Sequence, residues 1–190
     1  GKPGTETTTP DYATNDSVWS NGFHGVWHLD KMVSNSLSDS SPNGFHATAL
    51  NDAAIGSAQV GRGIILDGTD DYVNLGREAG NPGSVVGVSF WVKLNGTGDR
   101  ILSNEETTSG DTGWQIFRGT SSTNLNFYGS GSQTRYKDSV SNWSASNWHH
   151  VNAGFHADGS LSLQVDGVNK TFSSTQTVES VVSSTYDLLL

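Results

Sequence analysis

The amino-acid sequence predicts an all-β protein, an antiparallel β-sandwich or jelly roll. Three observations carry this expectation. Hydrophobic residues make up 33% of the 190 positions, while Gly (23), Ser, Thr and Asn abound, as in short strands joined by polar turns. Strand-like runs recur at short spacing, bounded by Gly, Asn, Asp and Ser clusters. No helical period persists far enough to build a long helix.

Taken in order, residues 1–22 ("GKPGTETTTPDYATNDSVWSNG") form an extended, Thr/Pro/Asp-rich leading segment. The folded unit is expected over residues 23–190. It opens with the aromatic run "FHGVWHL" (23–29), followed by a polar stretch over residues 30–46 that ends in "SPNGFH". "GIILDG" and "DYVNLG" come next, then "VVGVSFWVKL" (85–94), where alternation is clearest. There Val88, Phe90, Val92 and Leu94 share one face and Ser89, Trp91 and Lys93 the other. "RILSNE", "GWQIFRG", "NLNFYGS", "WHHVNAGFH" and "LSLQVDGV" complete the strands, with Asp158-Gly159 turning a hairpin between the last two. The final "STYDLLL" stops inside an apolar run. It is read as opening a strand whose successor lies outside this chain, so that the sandwich is truncated and keeps an unpaired edge.

Charge and composition exclude several classes of function. A formal net charge of −9 opposes any non-specific hold on nucleic acid or an anionic membrane. The absence of cysteine removes disulfides and thiolate metal sites. No apolar run reaches membrane-spanning length, so membrane insertion is not expected. Six Trp, seven Phe and five Tyr supply the large apolar groups that disordered chains lack.

Two acidic clusters stand out. Asp67-Gly68 reads as a turn between two antiparallel strands, "GIILDG" and "DYVNLG", whereas the adjacent Asp70 and Asp71 repel each other unless a cation or polar ligand offsets them. Ca2+, which takes several oxygen ligands, is the cofactor this pair suggests, with an ordinary turn as the competing reading. The spacing is not that of an EF-hand loop. Over residues 38–46, Asp39, Asn43 and the backbone of 44–46 offer a second oxygen-rich loop, either a Ca2+ site anchored by Asp39 or a plain Pro-Asn-Gly turn. Asp30 is a weaker third candidate. The six histidines do not make a zinc site, since His149 and His150 point to opposite strand faces and His24 and His28 lack a third ligand.

Sugars stack their apolar C–H faces on aromatic rings. Trp114, Tyr128, Tyr136 and Trp143, with Arg118 and Arg135 nearby, are the expected contact residues. Trp91 is assigned to the core, and Trp27 and Trp148 to structural positions. A glycoside hydrolase needs two carboxylates across a cleft. The five glutamates, at 6, 78, 105, 106 and 179, do not form the Glu-x-Asp-x-x-Glu pattern.

The pieces "SPNGFHA", "LDGTDDYV" and "WHHVNAGFHADGSLSLQVDG", in that order, resemble the laminin-G-like, concanavalin A-like jelly-roll family of bacterial surface proteins over residues 23–190. The resemblance implies a non-catalytic module in a larger exported protein, outside the cell, on its surface or in the periplasm, with residues 1–22 as the tail of a preceding region. Its implied partner is a carbohydrate or glycoprotein surface, engaged with calcium. A structural or adhesive protein-binding domain is the alternative. The resemblance also implies a structural role for His150 and a loop around Asp39 that helps hold a cation. The family closes with a strand of the type Gly-x-Ile-Asp-Glu-Val-Arg, which this chain does not contain, so the remaining strand is expected from the same or another chain.

Overall fold

Val86, Val88, Phe90 and Val92 turn inward along one strand while Gly87, Ser89 and Trp91 turn outward. That two-residue alternation lets a strand bury one face and wet the other. The structure, a computed structural model, describes residues 17–81, 83, 86–95, 100–105, 112–118, 124–129, 134–139, 146–156, 160–170 and 184–190. In chain order the strands are β1 (Ser36–Leu37), β2 (Ala47–Leu50), β3 (Ala54–Ser57), β4 (Arg62–Ile65), β5 (Tyr72–Gly76), β6 (Val86–Val92) and β7 (Arg100–Ser103). There follow β8 (Trp114–Arg118), β9 (Asn124–Gly129), β10 (Thr134–Ser139), β11 (His149–Phe155), β12 (Leu161–Val165), β13 (Val168–Asn169) and β14 (Leu188–Leu189).

An eight-stranded sheet runs β1-β2-β5-β14-β7-β8-β9-β10, and a four-stranded sheet runs β13-β12-β11-β6. Both are antiparallel throughout, as in a jelly-roll sandwich. Leu37, Ala49, Val73, Leu75 and Ile116 of the larger sheet form one core with Val86, Val151, Phe155, Leu163 and Val165 of the smaller. Two 3-10 turns, Ser17–Trp19 and Glu78–Gly80, are the helical elements among the described residues. None of these is long and apolar enough to cross a membrane.

Two expectations about connectivity are corrected. "GIILDG" and "DYVNLG" do not pair: β4 joins β3 in a separate two-stranded ribbon, and β5 lies within the large sheet. The aspartates between them therefore sit where the chain passes from the ribbon to the large sheet, not at a hairpin tip. The C-terminal residues do not leave an unpaired edge, because β14 lies inside the sheet between β5 and β7. Val73 and Leu190 exchange both backbone hydrogen bonds, at 2.8 and 2.9 Å. The Asn74 amide donates to Asp187 Oδ2 at 2.8 Å, and Asn81 both donates to and accepts from the Ser184 backbone. The β11–β12 pairing agrees with the expected hairpin, although its turn, Asp158-Gly159, lies outside the described residues.

The seating of β14 makes Leu188 a sensitive position, since its side chain is buried in the core between the flanking strands. Leu188→Ala is expected to cost about 2–5 kcal/mol, the usual range for emptying a core leucine site. Denaturant unfolding measures this directly, and an unchanged midpoint would show that β14 contributes nothing to the fold.

Candidate functional site

The loop before β1 and the loop before β2 are tied together by one buried carboxylate. Asp39 Oδ1 accepts from the amides of Val26 (2.7 Å) and Ser41 (2.8 Å). Oδ2 accepts from the Ser41 hydroxyl (2.6 Å) and the Phe45 amide (2.9 Å). Trp27 reinforces the joint by donating its indole N–H to the Phe45 carbonyl at 2.7 Å, and Asn43 donates its amide to the His24 carbonyl at 2.9 Å. Burial alone would raise the Asp39 pKa, but the Ser41 hydroxyl and the Val26, Ser41 and Phe45 amides outweigh it and hold the carboxyl below its usual value. The calcium assignment for Asp39 is corrected on this ground, because both of its carboxylate oxygens already serve protein donors. Asn43 gives its side-chain N–H to the His24 carbonyl and keeps its side-chain oxygen.

The second cluster is different. Asp67, Asp70 and Asp71 each bring a carboxylate oxygen to within 4.8 Å of the others, the one such group of three metal-ligating side chains among the described residues. Asp71 is fixed by two backbone donors, with Oδ1 accepting from Asp52 at 2.9 Å and Oδ2 from Asp67 at 3.0 Å. Asp67 Oδ1 accepts from Thr69 at 2.7 Å, the Asx-turn geometry expected of it, with Gly68 at φ 79°. The Asp70 backbone carbonyl receives the Asn51 side-chain amide, while its own carboxylate has no hydrogen-bond donor among the described residues. The structure thus brings Asp67 beside Asp70 and Asp71, a grouping that the reading of Asp67 as a turn residue had left apart. It also adds the 51–52 turn as a support, where the signal was an "ND" pair, with Asn51 in the left-handed region at φ 60°. The donor set is all oxygen and mostly exposed, which suits a hard cation such as Ca2+ and gives Zn2+ no imidazole or thiolate. Asp30 lies exposed elsewhere.

The aromatic assignments change most. Trp114 is buried to 1% and donates its indole N–H to the Gly80 carbonyl at 3.0 Å, so it is a core residue and not a ligand contact. Asn104 completes that joint, accepting from the Trp114 amide and donating to the same Gly80 carbonyl. A Cβ at Gly113, whose φ is 85°, would press to 2.4 Å from the Asn104 carbonyl oxygen, so the site needs glycine. Arg118 is likewise buried at 1% and is withdrawn from the contact set. Tyr128 lies opposite Gln115 and Arg135 in β9, and Tyr136 opposite Phe127 in β10; Trp143 lies outside the described residues. Trp91, assigned to the core, is instead 44% exposed on the outer face of β6, with the His150 ring 5.0 Å away. The outward neighbours Ser89 and Lys93 carried that signal, because a residue shares the environment of its i±2 neighbours. The adjacent His149 faces the other way, is buried, and meets Asp166 at 2.8 Å.

Of the glutamates, Glu78 lies exposed on a 3-10 turn and Glu105 pairs with the buried Gln115 side chain; 6, 106 and 179 lie outside the described residues.

A sequence profile described as the Concanavalin A-like lectin/glucanases superfamily matches residues 67–190. Among curated protein sequences none matches. Among solved structures the fold is similar to the binding domain of Paraclostridial Mosquitocidal Protein 1, with a TM-score of 0.64 and 12% identity over 88% of this chain and 44% of that one. The receptor binding domain of botulinum neurotoxin D gives 0.59 and 17% over 88% and 44%. A structure reporting that cell entry of botulinum neurotoxin type C depends upon interaction with two ganglioside molecules gives 0.55 and 15% over 88% and 42%. The chain thus spans less than half the length of these structures, and at such identities the likeness is one of fold.

The Asp39 joint has a pH signature. Its folded pKa is depressed, so its stabilisation is present above about pH 4, the ordinary aspartate value, and disappears as the pH falls through the lower folded value. Asp39→Ala strips the acceptor from three amides and a hydroxyl and is expected to cost on the order of 3 kcal/mol at pH 7. Urea melts across the acid range should show the gap between wild type and Asp39→Asn holding constant above the ordinary aspartate value and shrinking below it. A gap independent of pH would overturn the assignment.

Proposed function

The chain belongs to the concanavalin A-like lectin/glucanases superfamily, and from that premise we propose that it is a non-catalytic, carbohydrate-binding module of a larger exported protein, with Ca2+ completing its binding surface. The observation that carries this reading is the exposed Asp67–Asp70–Asp71 cluster. Backbone amides orient Asp71 and Asp67, and the Asp70 carboxylate is left for an external partner. Three like charges held this close favour a bound cation. Ca2+ takes six to eight oxygens, more than these side chains supply together, so a bound ion keeps positions for water or sugar hydroxyls. The fold neighbours are themselves binding domains, and one is tied to gangliosides, which carry sugars. The non-catalytic part of the proposal draws on the glutamates. Glu105 is engaged by Gln115, and the five glutamates do not form the Glu-x-Asp-x-x-Glu pattern.

Thermal melts and a glycan array, each run with Ca2+ and with chelator, test the proposal. A ligand at about 100 times its Kd stabilises the native state by about 2.7 kcal/mol, so the melting temperature should rise with millimolar Ca2+. Asp70→Asn, which changes a carboxylate without a donor among the described residues, should fold as well as the parent without Ca2+, or slightly better, and lose the Ca2+-dependent gain. An unchanged gain in this variant would remove the ion from this cluster. An array with no bound glycan would favour a protein-binding, adhesive role.

A further inference from the structure

The outer face of the four-stranded sheet carries chemistry that the aspartate cluster does not use. On β6 the outward positions are Gly87, Ser89 and Trp91, and on β11 they are His150, Asn152 and Gly154. Register sets them in rows: Trp91 opposite His150, Ser89 opposite Asn152, Gly87 opposite Gly154, with Gln164 of β12 continuing the middle row. Trp91 is 44% exposed, and its indole N–H meets no acceptor among the described residues. His150 holds the ring from one side, 5.0 Å between centroids at 43°, and is itself fixed by Ser89 at 3.1 Å. The Asn152 side-chain amide is also without a partner among the described residues, and Gln164 donates to Asn169 at 2.7 Å, which leaves its carbonyl oxygen open. Gly87 leaves the sheet bare beside this row, where a Cβ would meet open space, while Gly154 opposite it is buried beneath the Ser162 and His156 side chains.

We propose that this face is a saccharide platform, on which a neutral hexopyranose stacks its apolar C–H face on Trp91 and bonds its hydroxyls to Asn152 and Gln164. The assignment rests on the reading of the chain as a carbohydrate-binding module and adds the surface and the class of sugar. Geometry fits one ring, because positions two apart on a strand are about 7 Å apart and neighbouring strands about 4.8 Å. Charge selects a neutral ligand. The chain carries a net −9, and the carboxylate beside this row, Asp166 opposite His150, is engaged by the His149 ring and the His150 amide. An acidic sugar meets the repulsion of the whole molecule. Exposing a tryptophan amid amides, and not among other large apolar groups, matches an amphipathic sugar better than an apolar protein surface.

The test is binding of wild type, Trp91→Ala, Trp91→Phe and Asn152→Ala to an array of neutral and sialylated oligosaccharides, in chelator so that the aspartate cluster plays no part. Denaturant melts of each variant check the fold, and an exposed Trp91 predicts midpoints close to wild type. The expected result is binding of neutral hexose oligosaccharides, weakened about tenfold or more by Trp91→Ala and Asn152→Ala and less by Trp91→Phe. Wild-type binding that survives in folded Trp91→Ala and Asn152→Ala overturns the platform while leaving the carbohydrate-binding reading intact. A preference for sialylated glycans overturns the assigned sugar class. No binding by the wild type, with chelator or with Ca2+, overturns both.

Discussion

The larger sheet depends on a strand far in sequence from both of its neighbours. β14 lies between β5 and β7, so the centre of the eight-stranded sheet is completed only when 188–189 pair with β5, more than a hundred positions earlier, and with Ser103 of β7, 86 positions before Leu189. Such long-range closure costs chain entropy before any contact returns it. The compensation is local and dense. Leu188 is buried, Val73 and Leu190 exchange two hydrogen bonds, and the amides of Asn74 and Asn81 hold 184–187 on the approach. The same stretch is packed against Gly80, whose carbonyl serves both Asn104 and the Trp114 indole. Seating β14 therefore orders the strands on either side of it together.

Two aspartates show how the same side chain takes opposite roles according to what surrounds it. Asp39 is surrounded by amides from both sides of its loop, so its charge is stabilised by hydrogen bonds and spent on joining 24–27 to 41–46. Asp70 projects from an exposed crossing between two sheets, beside two other carboxylates whose own bonds only orient them. Desolvation and donor count, rather than residue type, separate a structural carboxylate from one available to a ligand.

The outer face of the small sheet follows from its strands' alternation. Each of β6, β11 and β12 gives one face to the core, and the residues left outside are small, polar or aromatic. β11 carries the contrast within two adjacent residues. His149 turns in and meets Asp166, which also holds the β12–β13 turn through the His150 amide, while His150 turns out and steadies Trp91. Burial by itself would raise the Asp166 pKa, but the bond from His149, the His150 amide and both nearby histidines hold it below its usual value.

The all-β class, the two faces of β6, the division of His149 from His150 and the turn at Asp67 were legible in the residues alone. All of these rest on period-two alternation and short-range turn chemistry, which neighbouring residues settle among themselves. That Asp39 is saturated, that Trp114 is core and Trp91 surface, and that β14 is a central strand emerges from the folded arrangement. In each case but that of Trp91 the deciding partner is distant along the chain: Val26 for Asp39, Gly80 for Trp114, β5 and β7 for β14. A local pattern states that a face is apolar or polar. It does not state which of two sheets, or which carbonyl, that face will meet, because sequence-distant contacts are chosen by packing of the whole core.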